Sequence, residues 1–250
     1  MDPLFDFSGK VVLVTGGSRG LGRQMSLAFA ERGADVIVAS RKLPACEEVA
    51  KEIEAKGRRA LAYACHVGHW DELNGLVAAA YQKFGRVDVL INNAGLSPLY
   101  PSLEEISEDL WDKVVALNLK GPFRLSALVG SRMAKGDGGS IINISSTASL
   151  NPSPTSEPYG AAKAGLNAIT RSFAFAYGPK VRVNCIVAGP FLTDISKAWD
   201  MQAFKQHQAP RLALKRGGEP NEIVGAALYL ASSSASFTSG TLVRVDGGTP

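Results

Sequence analysis

Cysteine is scarce in this chain: Cys46, Cys65 and Cys185 are its three, far apart and without a Cys-x-x-Cys pair. That excludes a disulfide framework and a cysteine-built zinc site, and it matches the usage of a reduced intracellular protein. Cys65, His66 and His69 are near neighbours but lack a fourth ligand, so no metal is expected. Long apolar runs are missing too. Nowhere do 18 successive apolar residues occur, so no membrane helix is predicted. The first ten residues, MDPLFDFSGK, carry two aspartates and no apolar run of signal-peptide length, and a cytoplasmic location is expected. The net charge is +4 and the pI about 9.0, but the basic residues form no cluster, and a nucleic-acid partner is not expected. Repeats, low-complexity tracts and long linkers are absent, which leaves a second domain no place to begin.

What remains is a globular composition, 46% hydrophobic and 20% charged over 250 residues, enough for one sizeable core. Short β-branched apolar runs alternate with longer amphipathic stretches. Strands are predicted at 10–15, 36–39, 60–64, 87–92, 140–145, 181–187 and 242–246. Helices are predicted at 20–32, 44–56, 71–84, 107–135 and from Pro158 to about Tyr177, where Gly178-Pro179 stops the last. The rhythm is that of an α/β protein, one doubly wound parallel sheet of about seven strands flanked by helices. Residues 191–215 are the least patterned and are taken as a substrate lid. Asn143-Ile144-Ser145 spells a glycosylation sequon but falls inside a strand, and is given no weight.

Thr15-Gly16-Gly17-Ser18-Arg19-Gly20-Leu21-Gly22 joins the first strand to the first helix. Glycine there permits unusual backbone angles and lets a pyrophosphate approach the amides at the helix amino end. The same letters satisfy Gly-x-Ser-x-Gly, so a hydrolase with Ser18 as nucleophile is the rival; it would need a downstream histidine, and only His207 qualifies. At the end of the second strand, about 20 residues on, a free ribose calls for an acid. Ser40, Arg41 and Lys42 stand there instead. Arg41 can pair with a 2′-phosphate, with Arg19 approaching from the other side, so NADP(H) is preferred to NAD(H).

Tyr159-Gly160-Ala161-Ala162-Lys163 places a phenol and an ammonium four apart on one helix face. Alone, such a pair is usually surface packing. As a catalytic unit, a tyrosine of pKa about 10 needs an adjacent cation, at about 1.4 kcal/mol per unit of lowering.

With the glycine loop, Asn92-Asn93-Ala94-Gly95 after the fourth strand, Ser146 thirteen residues before Tyr159, and Val245-Asp246-Gly247-Gly248 near the end, nearly the whole chain resembles the short-chain dehydrogenase/reductase family. The resemblance implies a Rossmann domain in which Tyr159 protonates a carbonyl oxygen as the nicotinamide delivers hydride, and Ser146, preferred to Ser145, hydrogen-bonds that oxygen. It implies that Lys163 binds the nicotinamide ribose and lowers the tyrosine pKa, and that Asn118 holds a water of the proton relay. Gly16, Ser18, Arg19, Gly20 and Leu21 then surround the phosphates and ribose; Ser40, Arg41, His66, Val67, Asn93, Ala94 and Gly95 line the adenosine half; Gly189, Phe191 and Thr193 flank the carboxamide. Two departures stand out. His66 replaces the family's usual aspartate beside the adenine amino group, and Ala188-Gly189-Pro190 replaces its usual Pro-Gly. Leu99, Tyr100, Leu150, Pro152 and Pro154, with Trp199, Met201 and Phe204 of the lid, are candidates for an apolar substrate pocket. The function implied is carbonyl reductase or alcohol dehydrogenase, acting on a ketone or 3-oxoacyl group, in a homotetramer. A nucleotide-binding sensor or scaffold without turnover is the alternative, but it needs none of Asn118, Ser146, Tyr159 and Lys163.

Overall fold

Five consecutive buried side chains, Val11–Thr15, form the first strand, β1. A strand buried on both faces belongs at the centre of a parallel sheet. The computed structural model, which describes residues 3–193, 196 and 200–250, places it there. The sheet holds seven parallel strands: β1, β2 (Asp35–Ser40), β3 (Ala60–Ala64), β4 (Val89–Asn92), β5 (Gly139–Ser146), β6 (Val181–Ala188) and β7 (Leu242–Val245). Their order is β3-β2-β1-β4-β5-β6-β7. It reverses between β1 and β4, which opens a crevice at the carboxyl ends of those two strands.

The period of two along the strands divides the core. Val12, Val14, Val36, Val38, Ile91, Ile142 and Ile144 face one way, onto Met25 and Phe29 of α1 (Gly20–Glu31), Val49 and Ile53 of α2 (Leu43–Ala55) and a later helix. Leu13, Ile37, Leu90, Ile141 and Val183 face the other way, onto α3 (Glu72–Phe84) and α5 (Gly121–Lys135), with α6 (Glu157–Tyr177) alongside. Each such side chain fully buried contributes about 1.5–3 kcal/mol.

Three departures from the sequence expectation have local causes. The predicted long helix at 107–135 divides into α4 (Glu108–Val115), a π-helical turn (Ala116–Lys120) and α5. Gly121 presses against the turn that follows β3 at this break: a Cβ there would lie 2.2 Å from the Val67 carbonyl oxygen. The supposed lid is helical in part, with α7 (Met201–Ala203), a π-helical turn at Phe204–Gln208 and a 3-10 turn at Ala209–Arg211; Phe204, Ala209 and Leu212 are buried. Trp199 lies outside the described residues. Finally, α8 (Val224–Ala231) was not anticipated. It is short and apolar nearly all round, so it carries no amphipathic stripe, although Pro220 and the Glu219/Glu222 capping box signal its approach.

Beneath the crevice a buried polar chain crosses the sheet. Asn92 donates to Ser126 (2.9 Å) and to Asn143 (2.8 Å), and Asn143 donates to Thr170 (2.8 Å). Asn143 is fully buried, so it offers no glycosylation site. Replacing it with alanine takes away one of the two acceptors of Asn92 and the donor to Thr170. We expect Asn143→Ala to lower the unfolding free energy by about 1–3 kcal/mol in urea titrations.

Candidate active site

Thr15, the last residue of β1, fastens the two sides of the crevice. Its hydroxyl donates to the Ile91 carbonyl (3.3 Å) and accepts from the amides of Asn93 (3.0 Å) and Ala94 (3.1 Å). Asn93 returns the link, donating through Nδ2 to the carbonyls of Thr15 (2.9 Å) and Gly16 (3.3 Å). The glycine loop is thereby tied to the end of β4. Gly16 has φ +63°, and a Cβ on it would meet Asn93 Nδ2 at 2.9 Å. A Cβ on Gly22 would meet the Gly16 carbonyl oxygen at 2.2 Å, so α1 starts hard against the loop. This is a cradle that side chains would fill, with the amino end of α1 facing it, and it fits a pyrophosphate. Thr193 borders the same space, since a Cβ on Gly20 would lie 3.6 Å from it.

At the end of β2, Ser40 accepts a hydrogen bond from Ser18 (2.9 Å) and lies 3.1 Å from Cys46 Sγ. Ser18 is thus a loop fastener, and among the described residues no histidine bonds to it, which removes the support for a hydrolase elbow. Arg41 is exposed at this strand end, beside Ser40. At the end of β3, His66 stacks on His69 with centroids 4.1 Å apart, and Val67 is buried under the start of α5. Gly189 packs on the carboxyl-terminal segment: a Cβ would lie 2.5 Å from Asp246 Cα, and its amide donates to Val245 (3.0 Å). Phe191 is buried, and its amide donates to the Gly189 carbonyl (2.9 Å).

On the other side of the crevice α6 presents Tyr159 and Lys163 one turn apart. Pro158 sits in the first turn, and Tyr100 locks the loop before it, donating to Pro154 (2.8 Å) and accepting from the Glu157 amide (2.7 Å). Tyr100 is therefore a brace of this loop. Tyr159 faces the hydroxyl of Ser146 at the end of β5, a hydroxyl that accepts from the Ala148 amide at 3.2 Å. Ser145 points the opposite way, its hydroxyl donating to Ser149 (3.2 Å) and to the Lys163 carbonyl (3.3 Å). Alternation along β5 is what separates the two serines.

Lys163 is 3% exposed, and its Nζ donates to the Ile144 carbonyl at 2.8 Å while standing 5.6 Å from the centroid of the Tyr159 ring. Burial pushes the ammonium down to about 8. Burial also lifts the Tyr159 phenol above its ordinary value of 10, against the opposing pull of the Ser146 hydroxyl, so the phenol keeps its proton at neutral pH. Asn118 sits fully buried in the π-helical turn. Its Nδ2 donates to the carbonyls of Leu96 (2.8 Å) and Val114 (2.9 Å), and its Oδ1 accepts from the Leu96 amide (3.3 Å). Gly95 lies between these groups; a Cβ there would be 3.1 Å from Asn118 Oδ1 and 3.7 Å from Lys163 Nζ. Thus Asn118, Ser146, Tyr159, Lys163 and Gly95 converge on one face of the crevice. Leu99 and Leu150 are exposed, Met201 is half-buried, and Phe204 is buried.

Sequence reasoning passed over the supporting roles of Thr15 and Glu72. A polar residue closing an apolar strand was the signal for Thr15. Nothing in the linear sequence announced Glu72, whose partners, His66 and His69, come from the loop before its helix.

A chain with a glycine cradle at the switch point of a doubly wound sheet and a Ser-Tyr-Lys cluster opposite it has the architecture of a nicotinamide-dependent oxidoreductase. A family model described as short chain dehydrogenase matches residues 10–203, and the chain belongs to that family, whose members bind NAD(P). It is similar to human "Dehydrogenase/reductase SDR family member 4", 34% identical over all of this chain and 89% of that protein. Among solved structures, a 7α-hydroxysteroid dehydrogenase complexed with NADH and 7-oxo glycochenodeoxycholic acid superposes with TM-score 0.95 at 34% identity, covering 100% of this chain and 97% of the other. A Beutenbergia cavernae protein described as a putative NAD(P)-dependent gluconate 5-dehydrogenase, with bound NADP, does so with TM-score 0.90 at 32% identity, covering 98% of both chains.

The buried ammonium makes a stability prediction. Lys163 titrates near 8 when folded and near 10.5 when unfolded, so between those values the unfolded chain binds the extra proton and stability rises with pH. Wild type should therefore gain on Lys163→Met by up to about 1.4 kcal/mol per unit between about pH 8 and about pH 10, measured by urea unfolding.

Proposed function

We propose that this chain is an NADP(H)-dependent carbonyl reductase or alcohol dehydrogenase in which Tyr159 is the general acid. The convergence of Tyr159 and Ser146 on one face of the crevice, with Lys163 buried beside them, is the observation that carries this reading. When bound, the coenzyme supplies or takes up a hydride at the nicotinamide. The chain's own part is the proton and the polarisation. A carbonyl oxygen set between the two hydroxyls accepts a hydrogen bond from Ser146 and a proton from Tyr159, whose retained proton suits reduction. Lys163 stabilises the phenolate left behind, and Asn118, held in the π-helical turn, sits where a water could replenish the proton. Alcohol oxidation runs the same transfers in reverse.

Gly16, Ser18, Arg19, Gly20 and Leu21 would hold the pyrophosphate side, Asn93, Ala94, Gly95 and Val67 the adenosine side, and Gly189, Phe191 and Thr193 the carboxamide end. The preference for NADP(H) rests on exposed Arg41, beside Ser40, and on the absence of an acid at the end of β2. A single domain with residues 191–215 as lid, working in the cytoplasm, fits this reading. The substrate we favour is a bulky or apolar ketone, or a 3-oxoacyl group, because exposed Leu99 and Leu150 offer an apolar rim. The related steroid dehydrogenase, complexed with a 7-oxo bile acid, is consistent with that choice. Assembly as a homotetramer is supported by exposed Phe123 and Phe175 on α5 and α6 and exposed Phe237 near β7.

Turnover of a ketone panel, followed by loss of nicotinamide absorbance, should fall at least about a thousandfold in Tyr159→Phe while NADPH binding is kept; unchanged turnover would overturn the mechanism. Ser40→Asp combined with Arg41→Ala should move the coenzyme preference toward NADH, read as the ratio of kcat/KM values. Tighter binding of NADH than of NADPH by wild type would refute the arginine argument. Light scattering should return about four times the 26.4 kDa chain mass.

A further inference from the structure

Tyr159 and Lys163 are followed at the same spacing by Asn167, so the three side chains continue one row of α6. Asn167 is buried and takes no part in the proton transfer described above. It is the centre of a hydrogen-bonded network that ends on the backbone of Ser146. Its Nδ2 donates to the Ser149 hydroxyl at 2.8 Å, and Ser149 in turn donates to the Ser146 carbonyl at 2.6 Å. From β6 the Cys185 thiol donates to Asn167 Oδ1 at 3.6 Å. Burial pushes that thiol up to about 12, against the pull of Lys163 and Ser145, so it keeps its proton and remains a donor. Ser145 closes the network, its hydroxyl shared between Ser149 (3.2 Å) and the Lys163 carbonyl (3.3 Å).

The directions in this network are fixed by its members. An amide Nδ2 can only donate, so the Ser149 oxygen accepts from Asn167 and from Ser145, and its single hydrogen goes to the Ser146 carbonyl. The Ser146 hydroxyl has a separate partner. As N-cap of the 3-10 turn Thr147–Ser149 it accepts from the Ala148 amide, which occupies a lone pair and leaves its hydrogen for an oxygen in the crevice. The same turn sits hard against the first turn of α6, where a Cβ on Gly160 would meet the Ala148 carbonyl at 2.9 Å. Contact with Gly160 stops the turn from moving inward, and the bond from Ser149 stops Ser146 from moving out. Such precision has a catalytic use, because a donor misplaced by about 1 Å can cost about a hundredfold in rate.

We propose that Asn167 and Ser149 are positioning residues that pin the Ser146 backbone to α6 and so hold its hydroxyl at the depth of Tyr159 on the same helix. Both act through Ser146 and not on the substrate. The helix that carries the acid thereby also sets the place of the hydrogen-bond donor, and the two meet a carbonyl oxygen as one body. This inference rests on the reductase reading of the preceding subsection.

The test is a double-mutant cycle on the single-turnover rate of ketone reduction, followed by nicotinamide absorbance, in wild type, Ser149→Ala, Ser146→Ala and the variant carrying both. Ser149→Ala should slow the step at least about tenfold, with the ketone KM and the NADPH dissociation constant changed by less than about twofold. Ser149→Thr, which keeps a hydroxyl, should recover most of the rate. In the Ser146→Ala background the same Ser149→Ala change should slow the step by less than about twofold, because the group it positions is gone. A role confined to stability would give the same loss in both backgrounds. Asn167→Ala, taken through the same cycle, supplies a second reading where Ser149→Ala does not fold, and NADPH-binding stoichiometry with urea midpoints reports the folded fraction. An unchanged rate in the folded variants, or equal losses in both backgrounds, would overturn the proposal. Absence of NADPH-dependent turnover by wild type would instead overturn the reductase reading, and this inference with it.

Discussion

The buried ammonium of Lys163 is the constraint around which the crevice is built. An amine at 3% exposure loses hydration that one hydrogen bond to the Ile144 carbonyl replaces only in part, which is why it is pushed down to about 8. It is tolerable because β5 ends at the right depth and α6 approaches the sheet closely. Gly160, Ala162 and Gly95 leave the room: a Cβ on Gly160 would meet the Ala148 carbonyl at 2.9 Å. The same closeness brings Tyr159 to Ser146. In the proposed reaction the strain of a half-satisfied cation is relieved when negative charge develops on the phenol beside it, so ground-state cost becomes transition-state stabilisation.

The two halves of the crevice are joined by short-range fasteners. Thr15 and Asn93 bind the glycine loop to β4, Ser18 and Ser40 bind it to β2, and the Asn92-Asn143-Thr170 chain locks β4, β5 and α6 beneath. Several polar residues that look like ligand contacts by position hold backbone. Their hydroxyls and amides set where main-chain N–H groups point, and those groups are what a pyrophosphate meets.

Much of this was legible in one dimension. The strand and helix rhythm reads directly because burial on both faces of a parallel sheet demands continuous apolar runs, and helices on its flanks demand stripes of period 3.6. The glycine loop and the Tyr159/Lys163 spacing are local, and local geometry is carried by adjacent residues. The π-helical turn at Asn118 was not legible, because nothing in Leu117-Asn118-Leu119-Lys120 forbids a regular helix; the register slips where Gly121 meets Val67 from the distant turn after β3. Helix α8 escaped because it is apolar nearly all round and has no polar face to mark its period.

His66 shows where the boundary lies. Its identity, and so its capacity to give or accept a hydrogen bond, is a property of the sequence. Which of the two it does follows from a loop that folds Gly68 back onto Nδ1 and from Glu72, which draws His69 alongside. By itself the sequence determined the seven strands, the glycine loop and the residue types available to the crevice, since burial pattern and backbone freedom are local quantities. Tertiary structure alone decided how deeply Lys163 is buried and which backbone groups hold Asn118, because each depends on groups brought together from separate elements.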